Sequence, residues 1–209
     1  MQLDEAYQQQ LGHWRATISN GATRIGWKIG LNVPAVQEQL GIGRSVVGHL
    51  TTASLVGAGG AHSLTGAEKP FAEPEIAIEV GPDGTIAGLA PAIEVADIDR
   101  PLDDVGEIVA SNIFHRAVAI GSSVELDSAD GIEAVLSVNG ERSASADAGA
   151  SDLRAIVSLV DETLRAAGES LQAGDRIIAG SLTAPARVGP GDRAEITLGP
   201  IGTLAVVFS

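Results

Sequence analysis

Apolar residues recur at helical spacing in two parts of the chain. Leu3, Tyr7, Leu11, Trp14 and Ile18 fall near one face and predict an amphipathic helix over residues 3–19, ended by Asn20-Gly21. Leu153, Ile156, Val157, Val160 and Leu164 form a second stripe, with Ser151 as the expected cap and Gly168 as the stop. A short helix is expected from Pro34 to Leu40, with proline in its first turn and Gly41 just past its end. Another is expected from Pro101 to Asn112.

Between these lie short branched-apolar runs that read as strands. Trp27 to Leu31 is one, and it carries a single lysine. Residues 75–80 and 91–97 form two more, joined through the turn sequence Gly81-Pro-Asp-Gly84. Phe114 to Ile120 follows. Ile132 to Val138 leads into Asn139-Gly140, a strong hairpin signal. Ile177 to Phe208 reads as strands broken by Gly189-Pro-Gly191 and Gly199-Pro-Ile-Gly202. Residues 41–70 are glycine-rich and give no clear element. The irregular mixture predicts an α+β fold over a doubly wound sheet.

Composition narrows the function. The chain has 209 residues, enough for one domain with a substantial core, and aromatics make up only 3%. Its formal charge of −14 repels nucleic acid and anionic membrane, and no basic stripe appears. A small anionic substrate would therefore need a local cation. With no cysteine there is no disulfide, thiolate zinc site or cysteine nucleophile. The polar, acidic start of the chain does not read as a signal peptide, so none is expected, and no stretch reaches the ~18 apolar residues of a membrane span. The expected setting is the cytoplasm.

Carboxylates are the main candidates for chemistry. Glu73 and Glu75 lie two apart and share a face in an extended strand, while Glu94 interrupts the apolar run Pro91–Val95. Converging carboxylates without basic neighbours suit a hard divalent cation. Two alternatives stay open on spacing alone. Glu79 shares the face of Glu75 and competes as a ligand, and Pro74 would equally mark a solvent-facing edge strand. Lys28 is one of two lysines among 13 basic residues and sits between Trp27 and Ile29. A desolvated lysine is a usable proton donor or acceptor, whereas one at a strand end simply snorkels. His13, His49, His62 and His115 show no metal-ligand spacing. Gly41-Ile-Gly43 and Gly57-Ala-Gly-Gly60 lack the ending and context of a phosphate loop.

Several blocks fall in a recognisable order. They are Trp27-Lys-Ile-Gly-Leu31 through Gly41, Glu73-Pro-Glu-Ile-Ala77, Pro91-Ala-Ile-Glu-Val95, Ile178-Ala-Gly-Ser-Leu-Thr183 and the closing Gly191-Asp-Arg with Gly199-Pro-Ile-Gly202. Together they resemble the 2-hydroxypenta-2,4-dienoate (2-keto-4-pentenoate) hydratases and 4-oxalocrotonate decarboxylases of aromatic catabolism, in the fumarylacetoacetate hydrolase superfamily. The resemblance implies that superfamily's mixed β-roll with peripheral helices, with a small N-terminal helical lobe over residues 1–45 and a catalytic roll over 46–209. It implies Glu73, Glu75 and Glu94 as ligands to Mg2+ or Mn2+, and Lys28 as the active-site lysine. Ser111, Asn112, Ser181 and Thr183 would bind a small 2-oxo acid. The implied activity is a hydratase, with a decarboxylase, a tautomerase or a non-catalytic scaffold as alternatives. A homo-oligomer, with a partner enzyme of the same pathway, is also implied.

The chain departs from the family pattern in having less N-terminal helical material and in Ala148-Gly-Ala-Ser-Asp152, which stands where the family has Gly-x-Pro. Connections near Gly81–Leu89 and Asp97–Pro101 are tight. Ser111 replaces an aspartate, and Ile113-Phe-His-Arg116 replaces small residues. Arg116, turned inward, would add a cation able to grip a second carboxylate.

Overall fold

Twelve strands fold into two sheets that share one apolar interior in the computed structural model, which describes residues 1–57 and 60–209. Ala58 and Gly59, within the Gly57-Ala-Gly-Gly60 sequence discounted above, lie outside the described residues. In chain order the elements are α1 (Leu3–Ser19), β1 (Arg24–Gly30), α2 (Pro34–Leu40), β2 (Val46–Thr51), β3 (Ala61–His62), β4 (Pro70–Val80), β5 (Ile86–Asp97), α3 (Val105–Ala110), β6 (His115–Ile120), β7 (Glu133–Val138), β8 (Glu141–Asp147), α4 (Leu153–Ala166), β9 (Arg176–Ile178), β10 (Ala186–Arg187), β11 (Arg193–Thr197) and β12 (Thr203–Phe208). The larger sheet runs β2-β1-β9-β4-β5-β6 with β10 also on β4, and the smaller runs β3-β12-β11-β7-β8. Most pairings are antiparallel, while β1/β9 and β12/β3 are parallel. This is the expected mixed roll with helices outside. Among the described residues no helix is long and apolar enough to cross a membrane.

The strand alternation sorts side chains into two populations. Ile76, Ile78, Leu89, Ile93 and Ile177 face the smaller sheet and meet Leu136, Ile196 and Phe208, with α1 and α4 closing the core. The opposite face of the larger sheet carries small residues, Ala77, Ala90 and Ala92, beside Val118 and Ile178. Glu73, Glu75, Glu94 and Lys28 share that second face, because Glu73 stands opposite Glu94 in the β4–β5 register and Lys28 reaches Ala77 across Ile178. A one-residue slip would put the carboxylates in the core, so the register is strongly specified.

Several local expectations hold and several shift. Asn139 and Gly140 both have positive φ, 54° and 83°, which is the tight hairpin turn that Asn-Gly favours. The cap of α4 is Asp152, whose side chain accepts from Ala155 N at 3.0 Å, and not Ser151 one residue earlier. Between Pro101 and Asn112 only Val105–Ala110 is α-helical, because Asp104 caps the helix from inside that span and accepts from Glu107 N. Residues 1–45 do not form a separate lobe. β1 lies between β2 and β9, and its buried Trp27 and Ile29 belong to the main core. Pro74 does not mark an edge either. Its carbonyl accepts from Leu182 N at 2.8 Å, so its missing N–H falls where β9 and β10 leave a gap beside β4.

One polar cluster locks β1 against β9. Asp175, almost fully buried, accepts from Arg24 Nε at 2.6 Å, Trp27 Nε1 at 3.1 Å and Gln172 N at 2.9 Å. The Arg24 guanidinium lies 5.0 Å from the Trp27 ring centroid, and Trp14 and Trp27 pack with centroids 5.3 Å apart. Asp175→Ala strands both an arginine and an indole N–H, and should cost roughly 3 kcal/mol of stability. Chemical denaturation checks this, and a loss under about 0.5 kcal/mol, the size of an ordinary surface change, would remove the cluster as a structural anchor.

Candidate active site

The centre of the site is a carboxylate cluster on paired strands. Glu73, Glu75 and Glu94 each offer an oxygen, and these atoms lie within 4.8 Å of one another. Glu75 and Glu94 are buried and Glu73 is half-buried. Glu79, the competing residue, pairs instead with Arg176 at 3.5 Å. Spacing alone could not separate it from the others, because a strand face does not say where its row meets a cation.

Each buried carboxylate has one oxygen engaged and one free. Glu75 Oε2 accepts from Gly180 N at 2.7 Å, and Glu75 Oε1 has no partner among the described residues. Glu94 Oε1 accepts from Lys28 Nζ and from His115 Nδ1, the latter at 2.7 Å, while Glu94 Oε2 is likewise unpartnered. Unpaired carboxylate oxygens are expensive to bury. Three carboxylates against one ammonium leave two negative charges uncompensated, the charge of one divalent ion. The donor set is all oxygen, the preference of Mg2+, Mn2+ and Ca2+. The residues present therefore fit a hard divalent cation.

The electrostatics agree with this. Burial, reinforced by the Glu94 charge, pushes the Glu73 carboxyl up to about 7. Glu75 is raised well above the ordinary value by burial and by its two carboxylate neighbours. Burial pushes Glu94 up too, but the Lys28 ammonium and the His115 hydrogen bond outweigh it and hold Glu94 below the usual range.

Lys28 is buried at the centre of β1. Its ammonium donates to Glu94 Oε1 and to Ile113 O, the latter at 3.0 Å. An ammonium has three donors, so one remains for the cavity that Lys28 lines. Gly48 stands opposite Lys28 in the β1–β2 register, and a Cβ there would come within 2.9 Å of Lys28 Cγ. Gly180 is as constrained. Its φ is +83°, and a Cβ would stand 2.7 Å from Asn32 Nδ2. The small residues around the lysine and the carboxylates are thus geometric requirements.

The acceptor for Lys28 comes from a strained turn. Asn112, Ile113 and Phe114 have φ of 64°, 55° and 60°, three successive non-glycine residues in the left-handed region. The Asn112 side chain holds this turn by accepting from His49 N at 2.8 Å and donating to His49 O at 3.0 Å. Ile113 buries its side chain against Val46, Ile108 and Val109. Asn112, expected at the substrate, is therefore turned to the backbone of β2. Ser111 Oγ donates to Glu107 O at 2.9 Å and is absent from the cavity lining, since it closes the end of α3. Ser181 and Thr183 do line the cavity, with hydroxyls donating to Thr183 O and Ala184 O.

One residue beyond the sequence expectations completes the site, and one that was expected leaves it. His115 bridges Glu94 Oε1 and Ser54 Oγ, the latter at 2.9 Å, and so orients the carboxylate from behind. Its only sequence signal was its place in the unusually bulky segment Ile113–Arg116. Arg116, expected as an inward cation, instead points out, with Asp97 Oδ2 at 3.7 Å and Thr65 O at 3.4 Å. Asp97 is buried and already accepts from Glu68 N and Lys69 N, which fixes its charge at the strand end where Arg116 can reach it.

The chain is similar to known enzymes over nearly its whole length. It is 30% identical to 2-keto-4-pentenoate hydratase 1 of Dechloromonas aromatica (strain RCB) over 234 residues, covering 99% of this chain and 86% of that protein. It is 29% identical to the 4-oxalocrotonate decarboxylase of a Pseudomonas species, covering 90% and 80%. Among solved structures, the 4-oxalocrotonate decarboxylase from Pseudomonas putida G7 complexed with magnesium and adipate superposes with a TM-score of 0.88 at 25% identity, covering all of this chain and 87% of that one. No protein-family model matches the sequence.

Two predictions follow from the cluster. Glu75→Gln keeps the acceptor for Gly180 N but removes a ligand charge, so Mg2+ affinity should fall about 100-fold or more. Stability of the metal-free protein should hold or rise as repulsion is relieved. Equal Mg2+ binding by calorimetry would exclude Glu75 as a ligand. The second prediction concerns pH. Because the folded-state value of Glu73 lies above its ordinary 4.5, its contribution to metal-free stability is complete below about pH 4.5 and is lost as pH rises through about 7. Mg2+ binds the deprotonated form, so the rise in Tm on adding Mg2+ should grow over the same interval. A rise in Tm that is flat from about pH 5.5 to about pH 8 would contradict this proton–metal competition.

Proposed function

Because the chain belongs to the 2-keto-4-pentenoate hydratase and 4-oxalocrotonate decarboxylase family of the fumarylacetoacetate hydrolase superfamily, we propose that it is a divalent-metal-dependent lyase that hydrates a 2-hydroxy-2,4-dienoate to a 4-hydroxy-2-oxo acid. The observation that carries this reading is the convergence of two orphaned buried carboxylate oxygens, on Glu75 and Glu94, with Glu73, which lines a cavity together with Lys28. Glu73, Glu75 and Glu94 would hold Mg2+ or Mn2+. When bound, the ion supplies Lewis-acid polarisation of the substrate's 2-oxygen.

The chain's own groups account for the remaining steps. Lys28 Nζ, with one donor free toward the cavity, holds or moves the proton as the dienol ketonises. Glu94 and Ile113 O fix the ammonium so that its free N–H has one direction. Water then adds in conjugate fashion at C4 of the 2-oxo-3-enoate. The apolar walls around Lys28 exclude bulk water and keep that addition local.

Decarboxylation of a related 2-oxo dicarboxylate is the second reading, favoured by the structural likeness to the magnesium-bound decarboxylase. It needs a place for a second carboxylate. Among the described residues Lys28 is the one basic side chain in the cavity lining, and it already faces Glu94. Hydration is the better fit. A scaffold without chemistry would leave the carboxylate cluster self-repelling. Incubation of the Mg2+-loaded protein with 2-hydroxypenta-2,4-dienoate and with 4-oxalocrotonate, following dienol absorbance and CO2 release, decides between the two reactions.

Lys28→Met should retain Mg2+ binding, since Glu94 keeps His115 and loses a competing cation, while kcat falls about 100-fold or more. Unchanged kcat at full metal loading would make Lys28 a structural residue.

A further inference from the structure

The cavity that opens on Lys28 and Glu73 holds about 570 Å3. At the ~30 Å3 that a water molecule occupies in the liquid, an acid of about eight non-hydrogen atoms, such as a five-carbon dienoate, fills less than half of it. The rest of the lining is mainly apolar, with Asn32, Ser145, Ser181 and Thr183 as its uncharged polar residues. Leu31, Val33, Val36, Ile98, Leu102 and Phe114 supply the wall, with half-exposed Val33 at its rim.

This wall is built by specific bonds. Gln37 Nε2 donates to Leu31 O at 2.8 Å, and Gln39 Nε2 donates to Leu102 O at 2.9 Å, so α2 ties together the end of β1 and the segment before α3. Phe114 is placed by the left-handed turn, where its carbonyl accepts from Asp97 N at 2.9 Å. The same turn sends Arg116 away from the cavity to Asp97. A second carboxylate would meet no cation among the described lining residues beyond the one already paired with Glu94, and burying it unpaired is costly.

We propose that this site selects 2-oxo and 2-hydroxy-dienoic monocarboxylates that carry an extended apolar tail, alkyl or aryl, at the end remote from the carboxylate. The assignment rests on the proposed reading of the site for the 2-oxo-acid head alone; the tail specificity rests on the wall. Burying one methylene is worth about a fourfold gain in affinity. A tail of three carbons should therefore raise affinity at least tenfold.

The test separates tail recognition from catalysis. Calorimetry with Mg2+-loaded protein compares four unreactive acids, namely 2-oxopentanoate, 2-oxooctanoate, 2-oxo-6-phenylhexanoate and the dicarboxylate 2-oxoadipate. The expected result is binding of the octanoate and phenylhexanoate at least tenfold tighter than the pentanoate, with the adipate the weakest. Leu102→Trp should cut the tail gain to under threefold by filling the wall. Leu102→Arg should instead bring the adipate level with or above the octanoate. Equal affinities across the series, tightest binding of the adipate by the parent, or a tail gain untouched by both variants would each overturn the assignment. In a parallel arm, dienoates of the same tail lengths are assayed for hydration. Tail-dependent binding without any hydration would leave the specificity standing and sink the hydratase reading.

Discussion

Two glutamates facing each other across antiparallel strands impose the constraint on which the rest of this structure depends. Glu73 and Glu94 are direct partners on β4 and β5, with Glu75 two residues along on the same face. Like charges opposite one another are destabilising, and burial multiplies the penalty. The fold answers with four fixed groups from three segments: Lys28 from β1, the Gly180 N–H after β9, and, from the turn into β6, His115 and the Ile113 carbonyl that holds the lysine. What these leave uncompensated is charge for one divalent ion. The strained turn and the required glycines are consequences of bringing those groups together at hydrogen-bond distance.

The site divides into a rigid floor and a variable wall. Lys28 and Glu94 sit in the interior of the larger sheet between paired strands, and Glu73 and Glu75 are held by β5 on one side and by the segment after β9 on the other. The wall comes from connecting segments, the ends of β1 and β5, α2 and the turn before β6. Loops vary at lower cost than sheet interiors, so a shared floor with an altered wall can keep one chemistry while changing the substrate's far end. The bulky Ile113–Arg116 segment shows this. It places Phe114 in the cavity from the left-handed turn, while Arg116, already on β6, lies beside Asp97 outside it.

Much of the local structure was legible in the chain. The amphipathic stripe of α1, the proline and glycine bounding α2, and the Asn139-Gly140 hairpin all carry their signal within a few residues. The misreadings arose where a local signal competed with a neighbour of similar kind, as with Ser151 beside the true cap Asp152. Others arose where the deciding partner was remote. Residues 1–45 read as a helical lobe because nothing near Trp27 in sequence reveals that β9, some 150 positions later, pairs with β1. Pro74 suggested an edge because the gap between β9 and β10 that accommodates it is assembled from distant segments.

The sequence by itself determined the helices, the two long strands, the same-face pair Glu73 and Glu75, the acidic balance and, through its ordered blocks, the family. Only the tertiary structure decided that Glu94 completes the cluster while Glu79 leaves it for Arg176, that Lys28 is buried and aimed, that His115 supports the centre, and that Arg116 faces outward. Periodicity records which face a residue takes, and that is a property of local backbone geometry. Which charges meet on that face depends on strand register and on contacts between segments far apart in the chain, where the cost of burying an unpaired charge selects the arrangement.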